Sequence, residues 1–337
     1  MKNSDNKIFR VGLIGLGAVS NNHIRSLLMN PQVQIVALCD VKEERLIQKK
    51  QENALDCALY TDYKEMILRE SLDTVHIMTP HYLHAPMAVY ALEHALDVFL
   101  EKPIGISPSD AQSILDAEAR TGKHVCVCFQ NRFSLATLKA KQLLDEDGGA
   151  LSGYISVAWN RDEAYYQSSD WRGFYKTEGG GVMINQAIHS LDLACQFLGT
   201  PKTLKATVHN HHLAGIIEVE DTAEGVIEFE GGKSAVFFTT TAFVGGDQTS
   251  VLFKSAKRCI EIRDGKLLVD SESVELEEEA LPYFGKSCYG RGHKYLIDRF
   301  YNALATGEEM PVSAKSACDA LRILLAAYRS NGEHTKI

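Results

Sequence analysis

Positive charge is in short supply in this chain. Its 35 Lys and Arg are outnumbered by 44 Asp and Glu, leaving a formal net charge of −9 with histidine neutral. A protein that binds nucleic acid needs a basic face to neutralise phosphates, so no nucleic-acid partner is expected. Long apolar runs are missing too, which excludes a membrane-spanning helix and a membrane partner. Residues Met1 to Lys7 contain no apolar core of a secretory signal. The eight cysteines form no C-x-x-C pair and no zinc-ligand spacing, and Cys126 and Cys128 alternate along an apparent strand as core residues. These absences predict a reduced, cytoplasmic protein with no metal. No internal repeat and no low-complexity linker interrupts the chain.

What is present is a nucleotide cradle near the start. Phe9 to Ile14 is a short apolar run suited to a buried parallel strand. Gly15 and Gly17 break it, and helical spacing resumes from Ala18 through Ile24, Leu27 and Leu28. A strand, a glycine turn and a helix let backbone approach a pyrophosphate closely and set helix N–H groups against its charge. Ser20 stands where the third glycine of that fingerprint belongs. Asp40 ends a second apolar strand at the distance where a carboxylate accepts from the ribose hydroxyls of a dinucleotide, although a polar strand cap would look the same. Its charge favours NAD; Lys42 and Arg45 close by keep NADP open.

With 337 residues, of which 45% are hydrophobic, two domains are expected. Strand and helix patterns alternate to about residue 130, as in a doubly wound parallel sheet. Ligands bind at the carboxyl ends of such strands, which draws attention to Thr79-Pro80-His81 and Glu101-Lys102-Pro103. A cis Lys102–Pro103 bond would turn the lysine into the cleft; on spacing alone, a surface lysine at a strand end fits better.

Residues 132–144 read as a helix joining the domains, and 152–159 as a strand. Residues 161–173 read as a polar aromatic loop of the kind that lines ligand sites, or one that packs over its own Trp171. Gly179-Gly-Gly181 then opens a helix on which Asn185, His189 and Asp192 share a face at i, i+4 and i+7. His189 fits a general acid–base group and a core histidine tied to Asp192 equally well. Residues 202–286 are mostly strand, with Asp264-Gly265 as a hairpin turn, and form an antiparallel sheet with one face left for another subunit. The acidic run Glu272 to Glu279 reads as a solvated strand or loop, and His209, His211 and His212 as alternating strand residues rather than a metal site. Residues 291–305, with His293 at the start, and 314–328 read as closing amphipathic helices.

Taken in order, Gly15-Leu-Gly17, Thr79-Pro80-His81 with His84, Glu101-Lys102-Pro103, Phe129-Gln-Asn-Arg-Phe133, and Gly179-Gly-Gly181 through His189 and Asp192 resemble the Gfo/Idh/MocA family, named for glucose–fructose oxidoreductase and inositol dehydrogenase. The resemblance implies an N-terminal Rossmann doubly wound parallel sheet, here residues 1–130, that binds NAD(P). Residues 131–337 would then be a C-terminal, open-faced, mostly antiparallel α+β domain with helices on one face, which binds substrate and builds homodimers or homotetramers. It implies that Gly15, Gly17, Ala18 and Val19 hold the pyrophosphate and Asp40 the ribose. Thr79, Pro80, His81, His84 and Glu101 would line the cofactor, and Lys102 and His189 would be the catalytic pair. Two positions depart from the family pattern. Asn185 stands where many members have Asp and cannot carry a proton, and His81 stands where asparagine is common.

The expected activity is an NAD(P)-dependent oxidoreductase acting on CH–OH groups of a sugar, sugar derivative or polyol. Arg132, Tyr165, Trp171, Arg172, Asn185, His189 and His293 are the candidates to bind its hydroxyls. A non-catalytic NAD(P)- and metabolite-binding regulator, or a cofactor-recycling epimerase or lyase, would carry the same scaffold.

Overall fold

A computed structural model describes residues 7–277 and 291–337. Strands and helices alternate through the first part: β1 (Phe9–Ile14), α1 (Ser20–Leu28), β2 (Val33–Cys39), α2 (Glu43–Glu52), β3 (Ala58–Tyr60), α3 (Tyr63–Arg69), β4 (Thr74–Ile77), α4 (His84–Glu93), β5 (Asp97–Leu100), α5 (Pro108–Thr121) and β6 (Val125–Val127). Local chemistry sets several boundaries. The Asp62 carboxylate caps α3 by accepting from the Lys64 N–H, and Gly122, at φ 68°, follows the end of α5. The six strands are all parallel, in the order β3-β2-β1-β4-β5-β6. Chain order reverses between β1 and β4, and loops leaving the two strands in opposite directions open a crevice at their carboxyl ends.

The first helix of the second part begins later than the sequence suggests. Gln130–Phe133 is a 3₁₀ turn, and α6 (Leu135–Glu146) starts only after Ser134, whose hydroxyl accepts from the Thr137 N–H. Then come β7 (Ser152–Ala158) and α7 (Glu163–Gln167), a short helix capped by Asp162 inside what the sequence presents as a loop. The helix after the glycines opens as a π turn, Met183–Ala187, before becoming α8 (Ile188–Leu198). Next are β8 (Pro201–His209), β9 (Thr222–Phe229), β10 (Ser234–Thr240), β11 (Gln248–Lys254), β12 (Cys259–Arg263), β13 (Lys266–Val269) and β14 (Glu272–Val274). They build a nine-stranded sheet with β7 and the terminal β15 (Thr335–Lys336), in the order β14-β13-β12-β11-β7-β10-β9-β8-β15. It is mostly antiparallel, but β7 and β10 run parallel at its centre. The Asp264-Gly265 hairpin is present, with φ of 48° and 82°. The rest of the expected strand region, 278–286, lies outside the described residues, as do Glu278 and Glu279. Helices α6 and α8 pack on this sheet.

Two closing helices, α9 (Gly292–Thr306) and α10 (Ala314–Ser330), serve different bodies. Of the described residues, 7–105, 109–130 and 291–316 form one compact unit, and 106–108, 131–277 and 317–337 form the other. The first unit therefore takes α9 from the stretch that the sequence assigns to the second domain. The physical reason is packing: α9 lies on α1 and buries Phe300 and Tyr301 fully. Among the described residues no helix is long and apolar enough to cross a membrane.

Candidate functional site

The glycine loop of the first unit is shaped for a pyrophosphate. Gly15 has φ 89°, and a Cβ there would lie 2.7 Å from the Met78 carbonyl oxygen, so β1 and the end of β4 come together only over glycine. A Cβ on Gly17 would meet nothing within 4 Å, so the outer side of the loop is open. No side chain caps α1, whose N-cap is Val19. Asp40 accepts from the Leu16 N–H (2.7 Å) and the Lys42 N–H (2.9 Å), with Arg45 at 3.5 Å. It braces the loop, and each carboxylate oxygen keeps a lone pair for a ribose hydroxyl. The residues present thus fit a dinucleotide.

At the carboxyl end of β5 the Lys102–Pro103 bond is cis. The Lys102 N–H donates to Glu101 Oε2 at 3.2 Å, so this carboxylate holds the turn that carries the lysine. The Glu101 carboxylate ends a buried chain. His23 Nε2 lies 2.9 Å from Glu101 Oε1, His23 Nδ1 lies 2.9 Å from His76 Nδ1, His76 Nε2 lies 2.9 Å from the Tyr301 hydroxyl, and that hydroxyl lies 3.0 Å from Thr74 Oγ1. An ionised carboxylate only accepts, which fixes the tautomers: each group in the chain donates toward Glu101. Burial pushes Glu101 up, but the hydrogen bonds of His23 and His293 outweigh it and hold the carboxyl well below its usual range. Burial lowers His23 and keeps it neutral. His293 Nε2 lies 3.8 Å from Glu101, so this residue belongs to the Glu101 cluster. Donor atoms of His23, Glu101, Cys128 and His293 lie within 4.8 Å of one another, a set that a transition metal can use, although the His23–Glu101 hydrogen bond already joins two of them.

His84 is fully buried and spans the carbonyl oxygens of Thr79 (2.9 Å) and Pro103 (2.7 Å). It ties the loops after β4 and β5 to each other. Thr79 donates to Met87 Sδ, and Pro80 leads into the 3₁₀ turn His81–Leu83, where His81 is buried.

In the second unit the polar loop makes a ladder of planar groups. Arg161 lies over Trp159 (4.7 Å) and Tyr165 (5.1 Å), and Arg172 over Tyr165 (4.6 Å) and Trp171 (5.2 Å). Asn185, on the π turn, donates from Nδ2 to Glu178 Oε1 (2.5 Å) and lies 3.4 Å from the Tyr165 hydroxyl. Glu178 also accepts from the Gly173 N–H at 2.6 Å. Burial drives the Glu178 carboxyl up to about 7, against the pull of Gly173, Asn185 and Arg172. Behind it, Glu220 accepts from the Gly181 and Met183 N–H groups and from the Tyr328 hydroxyl, at 2.9, 3.0 and 3.0 Å, and burial takes it to about 7 as well. The glycines permit this approach: a Cβ on Gly181 would run into the Glu220 carbonyl oxygen, and one on Gly180 into the Tyr328 hydroxyl.

Tyr165, Trp171, Arg172 and Asn185 are therefore brought together, with Glu178 as a member that sequence reasoning missed. His189 stands at the start of α8, 8% exposed. Arg132 is taken up by Asp192 in a buried bidentate pair, Nε–Oδ2 2.8 Å and Nη2–Oδ1 2.5 Å. Asp192, the partner that the core-histidine reading of His189 would use, is therefore held by an arginine. His209 pairs with Glu224 at 3.2 Å and stacks on His211.

A family model described as oxidoreductase family, NAD-binding Rossmann fold (GFO_IDH_MocA) matches residues 9–129, and a GFO/IDH/MocA C-terminal domain model matches residues 137–258. The uncharacterized oxidoreductase YrbE of Bacillus subtilis (strain 168) is 25% identical over 325 residues, covering 95% of this chain and 93% of YrbE. The myo-inositol 2-dehydrogenase of Thermotoga maritima is 24% identical over 340 residues, covering 97% and 98%. Levoglucosan dehydrogenase in complex with NADH and L-sorbose has the same fold, with a TM-score of 0.89 over 98% of this chain and 99% of that one at 20% identity.

Proposed function

Because the chain belongs to the Gfo/Idh/MocA family of NAD-binding oxidoreductases, we propose that it is a dehydrogenase of a sugar, sugar derivative or polyol. The nicotinamide, when bound, supplies the hydride acceptor or donor for a secondary alcohol carbon. The chain's own residues do the rest. Lys102, presented by the turn that Glu101 clamps, polarises and orients the reacting oxygen. His189 takes or gives the hydroxyl proton. The Tyr165–Arg172–Trp171 ladder offers flat surfaces and N–H donors, which suits a sugar ring with apolar faces and a polar rim. Asp40 would repel a 2′-phosphate, so NAD is the preferred cofactor. A row of exposed apolar side chains, Val226, Val236 and Tyr154, runs in register across β9, β10 and β7 and fits a second copy of the chain.

The observation that carries this reading is the braced Lys102 turn at the carboxyl end of β5, in the unit that holds the glycine loop. The test is absorbance of reduced nicotinamide across sugars, inositols and sugar acids with NAD and with NADP. Turnover should appear with NAD and fall by about 10²–10⁴-fold in Lys102→Met, with NAD affinity within about threefold. Near-normal turnover in that variant would sink the role of Lys102. Tight NAD binding with a flat panel would favour the regulatory alternative.

A further inference from the structure

Asn185 has no proton to give up, yet its amide is bonded to a buried carboxyl. Glu178 is fully buried, whereas Asn185 is only partly so and lies beside Tyr165. Glu178 meets N–H donors from Gly173 and from Asn185. An ionised carboxylate accepts both, and the Asn185 Oδ1 then turns away from it. A protonated carboxyl must place its own O–H somewhere. The backbone N–H of Gly173 cannot receive it, but the Asn185 amide can, by rotating so that Oδ1 faces Glu178 and Nδ2 faces outward. The π turn at Met183–Ala187 holds Asn185 where this rotation changes what the surface offers.

We propose that Glu178 is a positioning residue whose protonation sets whether Asn185 presents an acceptor or a donor to a substrate hydroxyl. This rests on the proposed dehydrogenase reading for its substrate, but the switch itself is independent of any ligand. The groups acting on Glu178 are Tyr165 and Tyr166 from α7, Arg172 from the following loop, Glu220 before β9 and Tyr328 from α10. Their balance with burial puts the titration at about 7, inside the working range of an enzyme.

The direct test is ¹⁵N NMR of the full chain. The Asn185 side-chain amide resonances are assigned by their absence in Asn185→Asp, and they should move with pH with a midpoint near 7. In Glu178→Gln they should be pH-invariant. In Glu178→Asp, which keeps an ionisable group, a midpoint should return. Invariance in the wild type overturns the proposal whether or not the variants fold, and so does an unchanged midpoint in Glu178→Gln. In kinetics with any substrate from the panel, the wild-type KM should fall severalfold as pH rises from about 6 to about 8. The KM of Glu178→Gln should stay at the low-pH level, because the introduced amide donates to Asn185 as the protonated acid does. A wild-type KM curve retained in Glu178→Gln overturns the proposal. A moving amide with no substrate in the panel would count against the dehydrogenase reading and leave the switch standing.

Discussion

Glu101 in the first unit and Glu220 in the second are both buried, and each accepts several hydrogen bonds, yet their acidities move in opposite directions. The number of donors does not explain this, since Glu220 has three neutral ones. Their nature does. Glu101 is faced by two imidazoles that hydrogen-bond to it, and its relay aligns His23, His76, Tyr301 and Thr74 toward it. Glu220 is faced by backbone dipoles and a phenol, with Glu178 as a second carboxyl nearby, whose own acidity Glu220 weakens further. Burial penalises charge at both sites, and only the first holds groups able to answer it.

The largest break in this contrast should come from Glu101→Gln. It removes the charge toward which the relay points and should cost about 3–5 kcal/mol at neutral pH, read as a lower denaturant midpoint. A loss below about 1 kcal/mol would mean that the relay is decoration.

A smaller effect concerns pH. Glu178 and Glu220 each have a folded pKa of about 7 against an ordinary 4.5. A raised folded pKa means that stability is full below about 4.5 and declines as pH rises through 7, by on the order of 3 kcal/mol for one such group. Glu101, held low, does the reverse: its contribution is present above its unfolded pKa and disappears in acid. Hydrogen exchange across about pH 5 to 8 should therefore show protection weakening around the Gly179–Met183 segment while it persists around β5. Glu220→Gln should flatten the first trend. Equal slopes in both units would erase the contrast.

The smallest expected change is Tyr301→Phe. It leaves His76 Nε2 and the Thr74 hydroxyl without their shared partner and should cost about 1–2 kcal/mol by urea unfolding, without altering the pH trend of the second unit.

Much of this was legible in the residue string. Alternating apolar runs pointed to the parallel sheet, and glycines at 15 and 17 with Asp40 pointed to the braced loop after β1, because each rests on contacts within a few residues or one βαβ unit. The polar interiors were not legible for the opposite reason. Glu220 lies 37 residues beyond Met183, to which it bonds, and Tyr301 lies 225 beyond His76. Nothing local distinguishes such a carboxylate or phenol from a solvated one. Two signals were present all the same. A histidine inside the buried strand Thr74–Ile77 demands a partner, and a glutamate immediately before three glycines stands where backbone can close on it. The sequence presents Asn185, His189 and Asp192 with plain helical spacing, whereas the structure has a π turn through Ala187 ahead of α8, a difference that local periodicity does not reveal.

The place of α9 has a consequence for how the molecule is made. A ribosome delivers the N-terminus first, and domains tend to fold as they emerge. Here the nucleotide-binding sheet is synthesised early, but the helix that packs on α1 and brings Tyr301 to His76 arrives only after strands β7 to β14 of the second sheet. Until then the nascent first unit carries two inward-facing histidines and a carboxylate whose network is open at one end. Its completion must wait for its neighbour's synthesis, so the two units are linked in time as well as in sequence. A gene cut after residue 130 would yield an incomplete unit, whereas a circular permutation that starts with α9 would supply the missing helix first.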